Sequence, residues 1–361
     1  MNATQEHLLK LLLEIDEICR KHDIEYFIDY GTTLGAIRHE GFIPWDDDID
    51  ISMTEDNYYK WLEACKVELD PTKRNYDDGR TDRDNPLVFG RYVDTTAARI
   101  SPKFKFWEAK SGQCIDFFYM MELPPDPVKK QEVIDLFFAY DEYVNRSFLH
   151  VRYRSERVMK LYRKFCEEEK RIGREAVLRS IEKKIMHKHY EGCDTYLVSS
   201  VRKQGPPCIV PKKCYDSVYM ADFEGHKLPI AGRYVELMNV YYEDTFDMLP
   251  VVPKQHMQMS FTGIPCEGYV KDYMQLFDKD DMLKARYDFK QLAVEEGYRI
   301  TRIRTAFYNK VGACEVLKIK KRSSSMASFS LSSGTRQALT SIFFSLIFFL
   351  IFRTSQAPTL L

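Results

Sequence analysis

Four aspartates lie within five residues of this chain, at Asp46, Asp47, Asp48 and Asp50. If residues 49–53 form a strand, successive side chains alternate between its faces, so Asp48 and Asp50 share one face while the isoleucines between them face a core. Two carboxylates then converge on one point, where like charges repel unless a cation neutralises them. Hard oxygen ligands at this spacing suit Mg²⁺ or Mn²⁺. The run therefore predicts a divalent-cation site.

A glycine turn precedes the acids and opens a predicted helix at Gly31-Thr32-Thr33. The N terminus of a helix presents backbone N–H groups and the positive end of a dipole to a phosphate. A further carboxylate, Asp116, lies between apolar residues in another predicted strand, residues 113–119. Together these features predict a phosphate cradle that faces a metal site, with Asp116 completing the cage.

Length and composition indicate a globular protein. The chain has 361 residues, 45% of them hydrophobic, which is ample for a sizeable core. Its 53 basic and 54 acidic residues give a net charge of -1, so no overall field favours nucleic acid or an anionic membrane. An anionic ligand must therefore be held locally, and we expect no nucleic-acid partner.

The cysteines indicate a reducing compartment. Nine cysteines, an odd number, include no C-x-x-C pair, so we expect reduced thiols in a cytoplasmic protein. The spacings of Cys193, Cys208 and Cys214 fit no common zinc pattern, which favours structural roles for them.

The two ends of the chain differ. The first 23 residues carry charges inside their apolar stretch and have no small-residue cleavage site, so they predict an amphipathic helix with Leu8, Leu12, Ile15 and Cys19 on one stripe. Residues 338–352 carry no charge, but as a helix they would span only about 22 Å against a bilayer core of about 30 Å. Two interpretations stay open for this segment: a buried or disordered tail, and a membrane anchor.

The pattern of elements predicts a mixed α/β chain of the α+β class. We expect strands over residues 24–29, 49–53, 87–93, 113–119, 195–200 and 217–230, with a hairpin turn at Glu224-Gly225, and helices over 31–37, 54–69, 234–242 and 280–309. Residues 70–86 read as an exposed loop, and about three helices fill residues 128–190. The predicted divisions are a catalytic core (1–125), a helical insertion (126–192), the remainder of the catalytic region (193–315), and a basic, serine-rich linker with a hydrophobic tail (316–361).

The segment YGTTLGAIRHEGFIPWDDDIDISM, residues 30–53, resembles the signature of the LicD family of phosphorylcholine transferases, to which the fukutin-related ribitol-phosphate transferases are similar. Residues 114–118, CIDFF, resemble the family's I-D-x-F strand, and residues 223–250 resemble its downstream stretch. The resemblance covers roughly residues 5–260. One departure is Glu243, which stands where the family usually has glycine after Tyr242.

The resemblance implies a nucleotidyltransferase core of the polymerase-β type with appended helices. Carried onto this sequence, Asp48, Asp50 and Asp116 would be the catalytic acids that hold Mg²⁺ or Mn²⁺, while Gly31, Thr32 and Thr33 would touch the phosphates of the donor. Relatives of this kind move a phospho-substituent from a CDP-linked donor to a sugar hydroxyl of a glycan or lipid-linked precursor. We expect this reaction at the cytoplasmic face of a membrane.

Several site residues keep two interpretations. Asp116 is either a base near the acceptor hydroxyl or the final metal ligand, and the nearby cation favours the ligand. Arg38 and Arg91 are either phosphate clamps or members of ion pairs. We also place Trp45 and Asp46 at the substrate, where the indole either stacks on cytosine or packs beneath the loop.

Two other functions stay open. A nucleotidyltransferase would direct attack at the phosphorus nearest the nucleoside, and a binding protein would keep the fold without turnover. The three acids argue against the binding protein.

Overall fold

The structure is a computed structural model that describes residues 1–79, 85, 87–100, 112–145, 155–200, 207–243 and 259–262, all within one compact unit, Met1–Arg304. The helix expected over residues 280–309, the linker and the apolar segment 338–352 lie outside these residues. Within the described part of the chain, no helix is both long and apolar enough to cross a bilayer. The predicted domain boundaries stay predictions.

Helices and strands alternate along the described chain in the α+β manner predicted. The helices are α1 (Ala3–Lys21), α2 (Tyr30–His39), α3 (Glu55–Glu68), α4 (Pro127–Asn145), α5 (Glu156–Ile172), α6 (Arg174–Ile185) and α7 (Tyr234–Tyr242). The strands are β1 (Phe27–Ile28), β2 (Asp50–Thr54), β3 (Arg74–Asp77), β4 (Gly90–Ile100), β5 (Gly112–Glu122), β6 (Thr195–Val198), β7 (Ile209–Pro211), β8 (Val218–Phe223), β9 (His226–Ala231) and β10 (Met259–Thr262).

A mixed sheet places two of the predicted acids side by side. Its central path runs β1-β2-β5-β4-β10, with β3 added to β4, β6 added to β5, and β7 added to β6. Strands β2 and β5 are parallel, and their register pairs Asp50 with Asp116. The Asp116 N–H also donates to the Ile49 carbonyl at 3.1 Å, so the contact between the strands begins one residue before β2. Carboxylates that are distant in sequence therefore lie side by side on neighbouring strands.

The core lies where α1 and α3 pack on this sheet. The predicted stripe of α1 is confirmed, since Leu8, Leu12, Ile15 and Cys19 are all fully buried. On α3, the Trp61 indole stacks on the Phe117 ring of β5 with centroids 4.8 Å apart. An amphipathic helix buries its apolar stripe in this way and leaves its polar face in water. The acid strand thus sits on a rigid, closely packed support.

The three helices expected in residues 128–190 are confirmed as α4, α5 and α6, which contact one another. The Tyr143 ring of α4 meets the Phe165 ring of α5 edge to face at 5.9 Å. Helix α5 begins at Ser155, whose side chain accepts the Val158 N–H, and ends at Gly173. Serine at the N-terminal cap and glycine at the C-terminal end are the usual boundary residues of a helix.

The hairpin prediction is also confirmed. Strands β8 and β9 pair antiparallel around Glu224 and Gly225, both of which have positive φ, 48° and 81°. Two central residues with positive φ match the right-handed twist of the flanking strands, and glycine adopts that conformation without steric cost.

The exposed loop predicted over residues 70–86 is wrong in its first half. Residues 74–77 form β3, which pairs with β4, and Asp77 is buried. The error has a physical cause, because Asp77 lies inside a two-pronged ion pair with Arg91, at 3.1 Å from Nε and 2.9 Å from a terminal nitrogen. A charged residue that reads as surface becomes part of the interior when its partner is buried with it.

We expect Asp77→Ala to lower the free energy of unfolding by about 3–5 kcal/mol, because the buried Arg91 guanidinium would lose its main counter-charge. Urea unfolding measures the change. The control is Glu63→Ala, which removes an exposed pair with Lys66 and should cost less than about 1 kcal/mol. An equal loss of unfolding free energy in the two variants would contradict a buried Asp77–Arg91 ion pair.

Candidate active site

Helix α2 begins at the predicted glycine turn. Asp29 is its N-terminal cap, and its carboxylate accepts the Tyr30 N–H at 2.8 Å. Tyr30 itself has a φ of 46°, in the left-handed region that bulky residues seldom occupy. Backbone in this conformation persists only where the surroundings hold it, and such residues cluster at functional sites.

The two threonines of the turn bind the protein itself. The Asp50 N–H donates to Thr32 Oγ1 at 2.9 Å, and Thr33 Oγ1 donates to the Ile28 carbonyl at 2.5 Å. Their amides donate to the carbonyl of Asp29, at 3.0 and 3.1 Å. Both side chains therefore hold α2 against β1 and β2, and their contact with donor phosphate stays a prediction.

Gly31 lies directly against the acidic loop. A Cβ atom built on it would come within 3.1 Å of Asp46 Oδ2, closer than most real Cβ contacts. A glycine here lets the helix start approach the carboxylate. The turn and the acids therefore face each other, as the spacing predicts.

The carboxylates cluster, but the tightest group shares only one member with the predicted ligand set. Among the described residues, the acidic trio whose oxygens all lie within 4.8 Å of one another is Asp46, Asp47 and Asp48. Asp50 feels the charges of Asp48 and Asp46, and it stands opposite Asp116 on the neighbouring strand. Asp48 is therefore common to the predicted ligand set and to the tightest group.

The electrostatics of the cluster show that these acids crowd one another. Burial, followed by the charge of Asp48, raises the pKa of Asp46 well above its usual range. Burial, followed by the charges of Asp48 and Asp116, does the same to the pKa of Asp50. Crowded, half-buried carboxylates are favoured when protons or a cation balance their charge. The donor set, all carboxylate oxygen, fits a hard divalent ion such as Mg²⁺.

Ile49, Ile51 and Met53 are fully buried, as predicted, and Asp48 and Asp50 are only half-buried. Ser52, on the same face as the acids, is buried too. The burial of the three apolar residues fixes the register of the strand, since a slip of one residue would bring the aspartates into the core.

The other predicted site residues are buried around the cluster. Trp45 is only 5% exposed, which favours packing beneath the loop. Arg91 is 4% exposed and paired with Asp77, although its strand register places it beside Asp116. Arg38 lies in the last turn of α2 and is also buried. Roles for these three side chains in substrate binding stay predictions.

Tyr242 faces the same cluster from α7. Burial, followed by the charges of Asp50 and Asp46, raises the pKa of its phenol, and Arg38 opposes this shift. The structure therefore extends the site toward the end of α7.

Asp29 is a site residue that sequence reasoning missed. Its Oδ2 accepts hydrogen bonds from the hydroxyls of Tyr241, at 3.0 Å, and Tyr215, at 3.3 Å. The Tyr241 ring also stacks on Tyr30, with centroids 4.3 Å apart. Aspartate before a helix is a known start signal, so the cap was open to prediction, but the tyrosines come from about 190 and 210 residues away. This Asp29-tyrosine cluster joins α7 to the start of α2.

Burial dominates the titration of Asp29. It raises the pKa of this carboxyl to about 6, although hydrogen bonds from the Tyr30 amide and the two tyrosine hydroxyls lower it. The carboxyl is fully buried, so its charge is costly without those donors.

Glu224, at the tip of the β8–β9 hairpin, is a second missed residue. Its Oε1 accepts the Phe42 N–H at 2.9 Å, and its own N–H donates to the Glu40 carbonyl at 2.9 Å. The hairpin tip thereby fixes the loop that leads from α2 into the acids. The sequence predicts the turn at Glu224, but not its contacts with residues 40 and 42.

Residues 23–141 match the family model for the nucleotidyltransferase domain of LicD/FKTN/FKRP. The chain is also 26% identical over 256 residues to the lipopolysaccharide cholinephosphotransferase LicD of Haemophilus influenzae, covering 67% of this chain and 89% of that protein. Residues 23–141 therefore match a LicD-family nucleotidyltransferase domain. The resemblance read from residues 30–53 is thus confirmed, and with it a nucleotidyltransferase domain of the α+β class.

Two shorter matches concern one segment. Uncharacterised proteins of Rickettsia prowazekii and Rickettsia typhi are each 44% identical to this chain over 50 residues, which is 14% of this chain and 19% and 16% of theirs. The match to the Haemophilus LicD protein therefore carries most of the comparison.

We expect Asp29→Asn to change how stability depends on pH. A carboxyl whose pKa is raised on folding stabilises the protein most below its unfolded pKa, about 4, and this contribution is lost as pH rises through about 6. Between pH 4 and pH 7.5 the free energy of unfolding of the wild type should therefore fall by on the order of 2–3 kcal/mol relative to that of Asp29→Asn. Urea unfolding in EDTA at both pH values measures this.

Tyr241→Phe is the companion variant. It removes one hydroxyl that lowers the pKa of Asp29, so the pH-dependent loss should shift to higher pH. The difference in free energy of unfolding between the wild type and Asp29→Asn should change with pH. A difference that does not change would refute the raised pKa of Asp29.

Proposed function

We propose that this protein is a metal-dependent phosphotransferase. It moves phosphocholine, or a similar phospho-alcohol group, from a CDP-linked donor to a sugar hydroxyl of a cell-surface glycan or its lipid-linked precursor. The observation that carries the proposal is the crowded aspartate cluster that faces the start of α2 within a LicD-family domain. The Haemophilus relative, a lipopolysaccharide cholinephosphotransferase, supports the choice of group and acceptor.

The cluster would hold Mg²⁺ or Mn²⁺ through Asp48, Asp50 and Asp116, with Asp46 and Asp47 close by. When bound, the cation neutralises the negative charge that phosphoryl transfer spreads over the phosphate oxygens. The Gly31 turn lies next to Asp46 and orients phosphate toward the cluster, together with the positive end of the α2 dipole. Arg38 supplies positive charge from the far end of α2.

The surrounding residues partly shield the site from water. The Tyr242 phenol lies close enough to Asp50 and Asp46 for their charges to raise its pKa, and Trp45 is buried directly before the acids. Charge interactions are stronger in a partly shielded site than in water. Asp116 is held by its place in β5, opposite Asp50, and this fixed geometry suits a metal ligand better than a mobile base. Positioning and electrostatics therefore account for catalysis in this proposal.

We place the reaction at the cytoplasmic face of a membrane. Attachment through residues 338–352 stays a prediction, because these residues lie outside the described part of the chain.

The test is incubation of the purified protein with Mg²⁺ and a panel of CDP-alcohols, CDP-choline included. We expect release of CMP, slowly by hydrolysis and faster with a sugar acceptor. The double variant Asp48→Asn, Asp50→Asn should release CMP more than about 100-fold more slowly. Even residues that only orient metal ligands contribute about 10–100-fold to activity. Asp56→Asn, an exposed acid in the first turn of α3, is the control and should keep full activity.

The products separate the rival functions. A nucleotide-tagged acceptor, or pyrophosphate released from a nucleoside triphosphate, would reject the proposal in favour of nucleotidyl transfer. Equal turnover by the wild type and the double variant would remove the cluster from the mechanism.

We also expect Mg²⁺ to stabilise the protein more at pH 8 than at pH 5.5. The raised pKa values of Asp46 and Asp50 mean that their stabilising contribution, present at low pH, is lost as pH rises through the folded pKa. A bound cation then replaces the lost protons, and saturating Mg²⁺ should raise Tm by on the order of 5 °C at pH 8. Thermal melts in EDTA and in Mg²⁺ measure this, and the double variant should show no such gain.

A further inference from the structure

The first turn of α1 reaches the acidic loop although α1 precedes residues 23–141, the span of the family domain. The side chain responsible is Gln5, which is 3% exposed. Its Nε2 donates toward three carbonyl oxygens of the loop, those of Asp46 at 3.0 Å, Ile43 at 3.2 Å and Pro44 at 3.4 Å. One amide group therefore contacts both ends of the turn that leads into the aspartates.

Gln5 is itself held in one orientation. Its Oε1 accepts the Asn2 N–H at 3.0 Å, while its own N–H donates to Asn2 Oδ1 at 2.9 Å, which together form a capping box. Because the oxygen of the amide is engaged by Asn2, the nitrogen is the end that points at the loop. The next turns of α1 are anchored in the core by Leu8 and Leu12. The amide is thus mounted on a rigid helix.

The loop depends on partners of this kind. Residues 41–49 lie between α2 and β2 and form neither helix nor strand. One turn within them is closed by the Asp46 N–H, which donates to the Ile43 carbonyl at 2.8 Å. Buried carbonyl groups need donors, and crowded carboxylates push the loop apart. Gln5 supplies donors at the point where Asp46 begins the trio.

We propose that Gln5 is a positioning residue for the cation site, which it serves by holding the backbone of residues 43–46 in the conformation that brings Asp46, Asp47 and Asp48 together. This inference rests on the proposed function, since it takes the aspartate cluster to be the cation site. It adds a residue of α1, which lies outside the family domain, to those that support the cation site.

The decisive variant is Gln5→Glu. Glutamate has the same shape and is equally suited to the capping box, so α1 is kept, but its carboxylate has no N–H to donate to the loop. The added negative charge would by itself strengthen cation binding. Weaker binding can therefore come only from lost positioning.

The measurement is Mn²⁺ affinity of the full chain without donor, by titration calorimetry or electron paramagnetic resonance. We expect the Kd of Gln5→Glu to rise about tenfold, as for other groups that orient metal ligands. Asn2→Ala is the matched control, because it removes the Oδ1 that caps the helix but keeps the backbone N–H of residue 2 that orients Gln5 Oε1. It should lower Tm and leave Mn²⁺ affinity unchanged.

The outcomes separate the two proposals. If the wild type binds no Mn²⁺, the proposed metal-dependent function fails. If the wild type binds Mn²⁺ but Gln5→Glu binds it equally well, or Asn2→Ala weakens it as much, the positioning role is overturned. Should Gln5→Glu not fold, Gln5→Asn replaces it, because the shorter amide falls short of the loop and must show the same weakening.

Discussion

Repulsion among crowded, mostly half-buried carboxylates is the constraint on which this structure depends. Asp46, Asp47 and Asp48 approach within 4.8 Å of one another, and Asp50 stands beside Asp116 on the neighbouring strand. Such a group would spread apart or take up protons unless the protein held its backbone and a cation balanced its charge. The arrangement is costly to stability, and a functional site is where proteins keep features of that kind.

The backbone around the acids is held by distant parts of the chain. Gln5 comes from the first helix, Glu224 from a hairpin tip, and Tyr215 and Tyr241 fix Asp29 at the start of α2. Four of these residues lie outside residues 23–141, so the family domain supplies the acids while its surroundings supply much of their support. A loop positioned by a rigid scaffold is a common basis for binding and catalysis.

Local patterns in the sequence predicted the local features. The alternation around Ile49 and Ile51, the glycine turn at Gly31 and the Glu224-Gly225 hairpin turn each follow from steric rules that act within a few residues. Strand β3 was missed because Asp77 is charged, and its burial makes sense only with Arg91 beside it. The contacts of Gln5 and of the tyrosines with the site join residues 38 to 212 positions apart, and no local rule encodes such contacts.

The parallel pairing of β2 with β5 bears on the order in which the nascent chain acquires its site. Parallel neighbours cannot be joined by a tight turn, so the acid strand leaves the ribosome long before β5, and Tyr241 follows later still. Contacts so far apart in sequence form late in folding. Under the proposed function, the cation site would therefore be complete only after β5 and Tyr241 have been synthesised, well after the acid loop itself.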